Sequence, residues 1–180
     1  MKEVSEHRIY RLLADKYERV EIDYVLLSVE EPYDGEATHK KAIPEALDII
    51  RSRYEAEERF TVLTDRMRAE RCDIETLLMP PDDEYDRSRK RVERSFSAPE
   101  PLPYWYAFLE PPHGTPYTKD DFAAFQKVLL PDRAQAEAYR WNDDFSDYFD
   151  AGKEGWGTGL WTIYDRRERV MIVIGASLTD

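Results

Sequence analysis

With 180 residues, the chain has room for one large domain or two small, tightly associated ones. It is long enough to bury a core without a metal or disulfide staple, and its single cysteine, Cys72, excludes an internal disulfide. A net charge of −12, from 38 acidic against 26 basic side chains, disfavours nucleic acid and anionic membranes and favours encounter with basic partners.

The amino terminus, MKEVSEHRIY, lacks the apolar stretch of a secretory signal. The densest early apolar run, IDYVLLSV at 22–29, is too short to span a bilayer and carries Asp23. The composition therefore points to a soluble, cytoplasmic protein.

Residues 1–79 read as mainly helical. Ile9, Leu12, Leu13, Tyr17 and Val20 recur at helical spacing, and IDYVLLSVE fits either a buried strand or a continuation of that stripe. Pro32 and Asp34-Gly35 break the chain. Pro44 then suits the first turn of the next helix, whose stripe is Ile43, Ala46, Leu47, Ile50 and Tyr54. Phe60, Leu63 and Met67 supply a second stripe, with Glu57 and Glu58 as the seam, and a short helical turn is expected at IETLLM.

Residues 80–103 form a proline-rich, charged linker with five prolines and the basic run RSRKRVER. In so acidic a chain this run is best satisfied by neighbouring carboxylates, and a phosphate-binding role is the weaker reading.

Residues 104–180 read as a second unit of helices and strands. YWYAFLE at 104–110 has the aromatic density of a buried strand. TKDDFAAFQKVLL follows as a helix, with Thr118 as N-cap and Asp120 and Asp121 in the first turn. AEAYRW fits a strand or a helical turn, and FSDYF a short helix. GLWTIYD and VMIVIGAS form the best hairpin candidate, within 157–177. The expected fold class is α+β: a mainly helical N-terminal half packed with a small antiparallel C-terminal sheet.

The segment WNDDFSDYFDAGKEGWGTGLWTIYD, 141–165, carries three of the four tryptophans and four of the seven glycines. Its acids fall out of register for an EF-hand. The three histidines, 7, 39 and 113, have no zinc-ligand spacing. No metal and no cofactor is expected. GWGTG is followed by a strand-like run and flanked by acids, so it is unsuited to phosphate. Treated as a strand, Gly155, Gly157, Gly159, Trp161 and Ile163 share one face, and Trp156, Thr158, Leu160, Thr162 and Tyr164 the other. The glycines leave a trough, to be filled by an internal aromatic or by a ligand.

Two functions from different classes follow. The first is a non-catalytic binding protein for a partner with a basic surface, with the physical profile of small acidic inhibitors of basic nuclease toxins. Its contact surface is Trp141, Asp143, Asp144, Asp147, Asp150, Glu154, Trp156 and Gly157, where aromatic anchors combine with steering charge. The second is a small hydrolase or ligand-binding enzyme using His113, held on the loop PPHGTPY, with Asp150 and Glu154. The absence of a reaction-specific motif favours binding.

Overall fold

A computed structural model describes residues 1–54, 59–82 and 101–179. One six-stranded sheet, antiparallel throughout, organises them in the order β1-β2-β6-β5-β4-β3. The strands are β1 (Lys2–Glu3), β2 (Asp23–Ser28), β3 (Ala69–Cys72), β4 (Glu137–Trp141), β5 (Gly157–Asp165) and β6 (Val170–Leu178). The helices are α1 (Arg8–Asp15), α2 (Gly35–Arg53), α3 (Ile74–Leu77), α4 (Tyr104–Leu109), α5 (Lys119–Leu129) and α6 (Asp150–Glu154), the last preceded by a 3₁₀ turn at Asp147–Phe149.

This corrects the expected fold class. The sheet is large rather than a small C-terminal one, and the N-terminal half, which supplies β1, β2 and β3, is not mainly helical. The physical reason lies in burial. β2 sits between β1 and β6 with Tyr24, Val25, Leu26 and Leu27 all buried. A strand covered on both faces is a continuous apolar run without alternation, so it mimics a helical stripe. β3 fails in the opposite way. As an edge strand with Glu70 and Arg71 exposed, AERC carries no apolar signal.

Each face of the sheet carries its own core. On one, Tyr24, Leu26, Trp161, Ile163, Ile172 and Ile174 pack against Phe108 of α4 and Phe122 and Phe125 of α5. On the other, Val25, Leu27, Leu160, Tyr164, Met171 and Val173 pack against Ala42, Ile43, Ala46, Leu47 and Ile50 of α2, with Phe145 and Phe149. The α5 start is a capping box. Thr118 accepts from the Asp121 amide, and the Asp121 carboxylate accepts from the Thr118 amide.

Three local expectations change. YWYAFL is the helix α4, entered through Pro103, because Tyr104 and Phe108 lie one turn apart on the face buried against the sheet. Pro44 lies inside α2, which starts nine residues earlier at Gly35 and stays helical because its apolar stripe is buried against the sheet. The Phe60–Met67 stripe is not a helix. The chain there runs beside 145–147 through a Val62–Ser146 bridge, a Leu63 amide to Phe145 carbonyl bond, and Phe60 packed on Tyr148. The proposed seam at 57 and 58 and the basic run at 87–94 lie outside the described residues.

Candidate functional site

β4 pairs with β5 only from Leu160 to Tyr164, whereas β5 begins at Gly157. Past Trp141 the β4 chain turns toward β3, and the Asn142 amide donates to the Arg68 carbonyl. The Gly157–Gly159 stub of β5 therefore projects beyond the β4 ladder. Beside it lies an open cleft of about 590 Å³. Arg68, Glu70, Arg140, Trp141, Asp143 and Trp156 contribute to its walls, around the backbone of Gly155–Gly159.

The glycine trough itself is filled from within. A Cβ placed on Gly159 would come within 2.3 Å of the Trp161 ring, which folds back along its own strand. On Gly155 it would meet the Thr179 Cα at 2.9 Å and the Ala151 carbonyl at 3.0 Å. Of the two fillers considered from the sequence, an internal aromatic occupies the trough at Gly159.

The charges lining the cleft are committed to neighbours. Arg140 pairs with Glu70. Thr158 Oγ1 donates to Asp143 at 2.6 Å. Lys153 reaches Asp144 at 3.5 Å, and the Arg68 guanidinium donates to the Asp65 and Met67 carbonyls. Cations and anions are thus paired at the opening, while Trp156 stacks on Tyr106 with ring centroids 5.3 Å apart.

The remaining sequence candidates divide by burial. Trp141 is buried, its indole N–H donating to Thr162 Oγ1 at 2.9 Å. Asp147 accepts from the Thr61 amide at 2.9 Å and stays exposed. Asp144, Asp150 and Glu154 are exposed as well, the last two at either end of α6. Tyr148 and Phe149 anchor this acidic segment by burying their rings. His113 is exposed on the loop between α4 and α5. Burial pushes the nearby Glu21 carboxyl up and the charge of His113 opposes it. The charge of the histidine thus reaches Glu21, a carboxylate not singled out from the sequence. Among the described residues no three His, Cys, Asp or Glu side chains converge on a metal position.

A buried polar group around His39 carries no motif in the sequence. His39 of α2 is fully buried. Its Nδ1 lies 2.8 Å from Thr162 Oγ1 and its Nε2 3.0 Å from the Tyr33 hydroxyl. Tyr33 stacks on Tyr164 with ring centroids 4.1 Å apart, within the electrostatic reach of Glu137, which pairs with Arg166 and Arg71. Burial pulls the His39 pKa down to about 4. Burial alone would raise the Glu137 carboxyl, but its bond from Arg166 and the two guanidinium charges prevail and hold it low. A signal for His39 was present, since residues 39, 42, 43, 46, 47 and 50 form one helical stripe. Starting the helix at Pro44 left His39 outside it.

In comparisons with known proteins, no family model, no curated protein and no solved structure matches this chain. No helix among the described residues is long and apolar enough to cross a membrane.

Proposed function

We propose that the chain is a non-catalytic binding protein that engages a basic protein surface with the acidic end of its sheet, residues 141–159. The observation that carries this reading is the outward display of Asp144, Asp147, Asp150 and Glu154 on a short segment whose aromatic residues are locked into the core. Such a segment presents charge on a rigid frame, which limits the ordering cost of association. The net charge of −12 adds long-range steering toward a cationic partner. The cleft beside it offers Trp156 and bare backbone, where a partner side chain can reach the β5 stub.

Paired capture tests the reading. Wild type and the variant Asp144→Asn/Asp150→Asn/Glu154→Gln are immobilised and exposed to the same mixture of basic and acidic proteins at low and high salt. Selective retention of basic proteins by the wild type, weakened by salt and by the substitutions, is the expected result. Equal retention by both, or retention indifferent to salt, overturns it.

A further inference from the structure

The polar chain that links Trp141 to Tyr33 through Thr162 and His39 admits one assignment of protons. The Trp141 indole N–H can only donate, and it donates to Thr162 Oγ1. The one proton of the fully buried Thr162 hydroxyl then goes to its other hydrogen-bond partner, His39 Nδ1, which is therefore bare. The neutral imidazole carries its proton on Nε2 and donates it to the Tyr33 hydroxyl. Donation therefore runs in one direction, Trp141 to Thr162 to His39 to Tyr33. Within it, the bond from Thr162 to His39 requires a neutral imidazole with its proton on Nε2.

A second proton on His39 would sit on Nδ1 and point at Thr162 Oγ1. The Thr162 hydroxyl would have to turn its own proton away, inside a site where both residues are fully buried. The groups that face the imidazole do not relieve this. Tyr139 of β4 presents a ring edge-on at 4.7 Å, and Tyr33 packs at 5.7 Å. Arg166 lies over the Tyr33 ring, and the nearest carboxylate, Glu137, acts from beyond Tyr33. Trp141, at the far end of the chain, is also a wall of the cleft.

We propose that His39 is a positioning residue for the cleft, holding the Trp141 wall in place through Thr162 while its imidazole is neutral and releasing it on protonation. This makes the cleft acid-sensitive, and its consequence for a partner rests on the binding reading above. The fold lowers the proton affinity of His39 about 300-fold relative to a free imidazole, from 6.5 to about 4, so the latch stays closed at neutral pH.

Nitrogen-15 NMR of the wild-type protein tests the latch directly, following the His39 ring nitrogens and the Trp141 indole N–H against pH. The expected result is an Nε2–H tautomer, a His39 midpoint far below 6.5, and a Trp141 resonance that moves with the same midpoint. An Nδ1–H tautomer, a midpoint near 6.5, or a Trp141 resonance that stays still through the His39 titration overturns the proposal. In His39→Gln the Trp141 resonance should lose that midpoint; if it keeps it, another group drives the change and the proposal fails. Should that variant not fold, the wild-type titration decides alone. An oligolysine peptide reads the partner step separately. Affinity that drops as His39 protonates supports the coupling to binding, and affinity that ignores that midpoint overturns it. An absence of binding at every pH overturns the binding reading, and the NMR midpoints still decide the latch.

Discussion

The two faces of the sheet bury their polar groups in different ways. Under α4 and α5, the Tyr24 and Tyr104 hydroxyls meet at 2.7 Å, and Gln126 completes a neutral group. Rings fill the rest, with Phe108 packed on Tyr17, Tyr117, Phe122 and Phe125. Under α2, titratable groups join the core. His39 sits fully buried in its directional chain, and the half-buried Asp23 accepts from Tyr148 and Tyr54 at 2.9 and 3.0 Å. Burial raises the Asp23 carboxyl, and those two hydroxyl bonds only partly offset it. One face is thus held mainly by packed rings and neutral hydroxyls, and the other joins its core to a buried histidine and a half-buried aspartate.

Truncation of the apolar face should give the largest effect. Phe108→Ala empties a fully buried ring site and should cost about 3–5 kcal/mol. In urea unfolding that cost should be the same at pH 7 as at pH 5. A loss that depends strongly on pH would show that the two faces do not act separately.

Acidification tests the other face. The folded-state value of His39, about 4, lies below its unfolded value of 6.5. Its contribution is therefore complete above pH 6.5 and is lost as pH falls toward 4, by up to about 3 kcal/mol. Asp23 works in the opposite sense, since a raised carboxyl favours the fold as it protonates. The comparison must accordingly be made between wild type and His39→Gln across the same pH range. The variant's stability should fall less steeply over that window, and parallel curves would assign the acid response to other groups.

A third substitution probes the seam where the apolar face meets the cleft. Gly159→Ala sets a methyl 2.3 Å from the Trp161 ring. The ring must swing off its strand, at about 1–3 kcal/mol. Thermal unfolding should show the loss, and an unchanged midpoint would mean that Trp161 does not depend on the bare backbone beneath it.

What the sequence made legible follows from the same physics. Helices with one exposed side kept their periodicity: α1 and α5 with its capping box have readable signals. The β5–β6 hairpin, buried on both faces, was legible instead as two apolar runs joined by a polar turn. β2, also buried on both faces, lacked such a partner in sequence, and α4 hid its buried face because its half-buried positions, Trp105 and Tyr106, are aromatic as well. The site shows a related limit. The sequence drew attention to 141–159 through composition. It could not show that Gly159 serves Trp161, nor that Trp141 is tied to a histidine 102 positions away in the chain, because both depend on strand register and on where α2 crosses the sheet.

The smallest stability effect belongs to the surface where binding is proposed. Asp144, Asp150 and Glu154 are exposed, and the 3.5 Å contact of Asp144 with Lys153 is a surface pair of little worth. Neutralising the three should change unfolding free energy by less than about 0.5 kcal/mol, with relief of self-repulsion in a −12 chain opposing any loss. Carboxylates that the fold does not need, set on a segment whose rings it does need, are what a contact surface requires. If neutralising them destabilises the protein as much as Gly159→Ala does, they belong to the scaffold, and the case for an acidic docking end loses its footing.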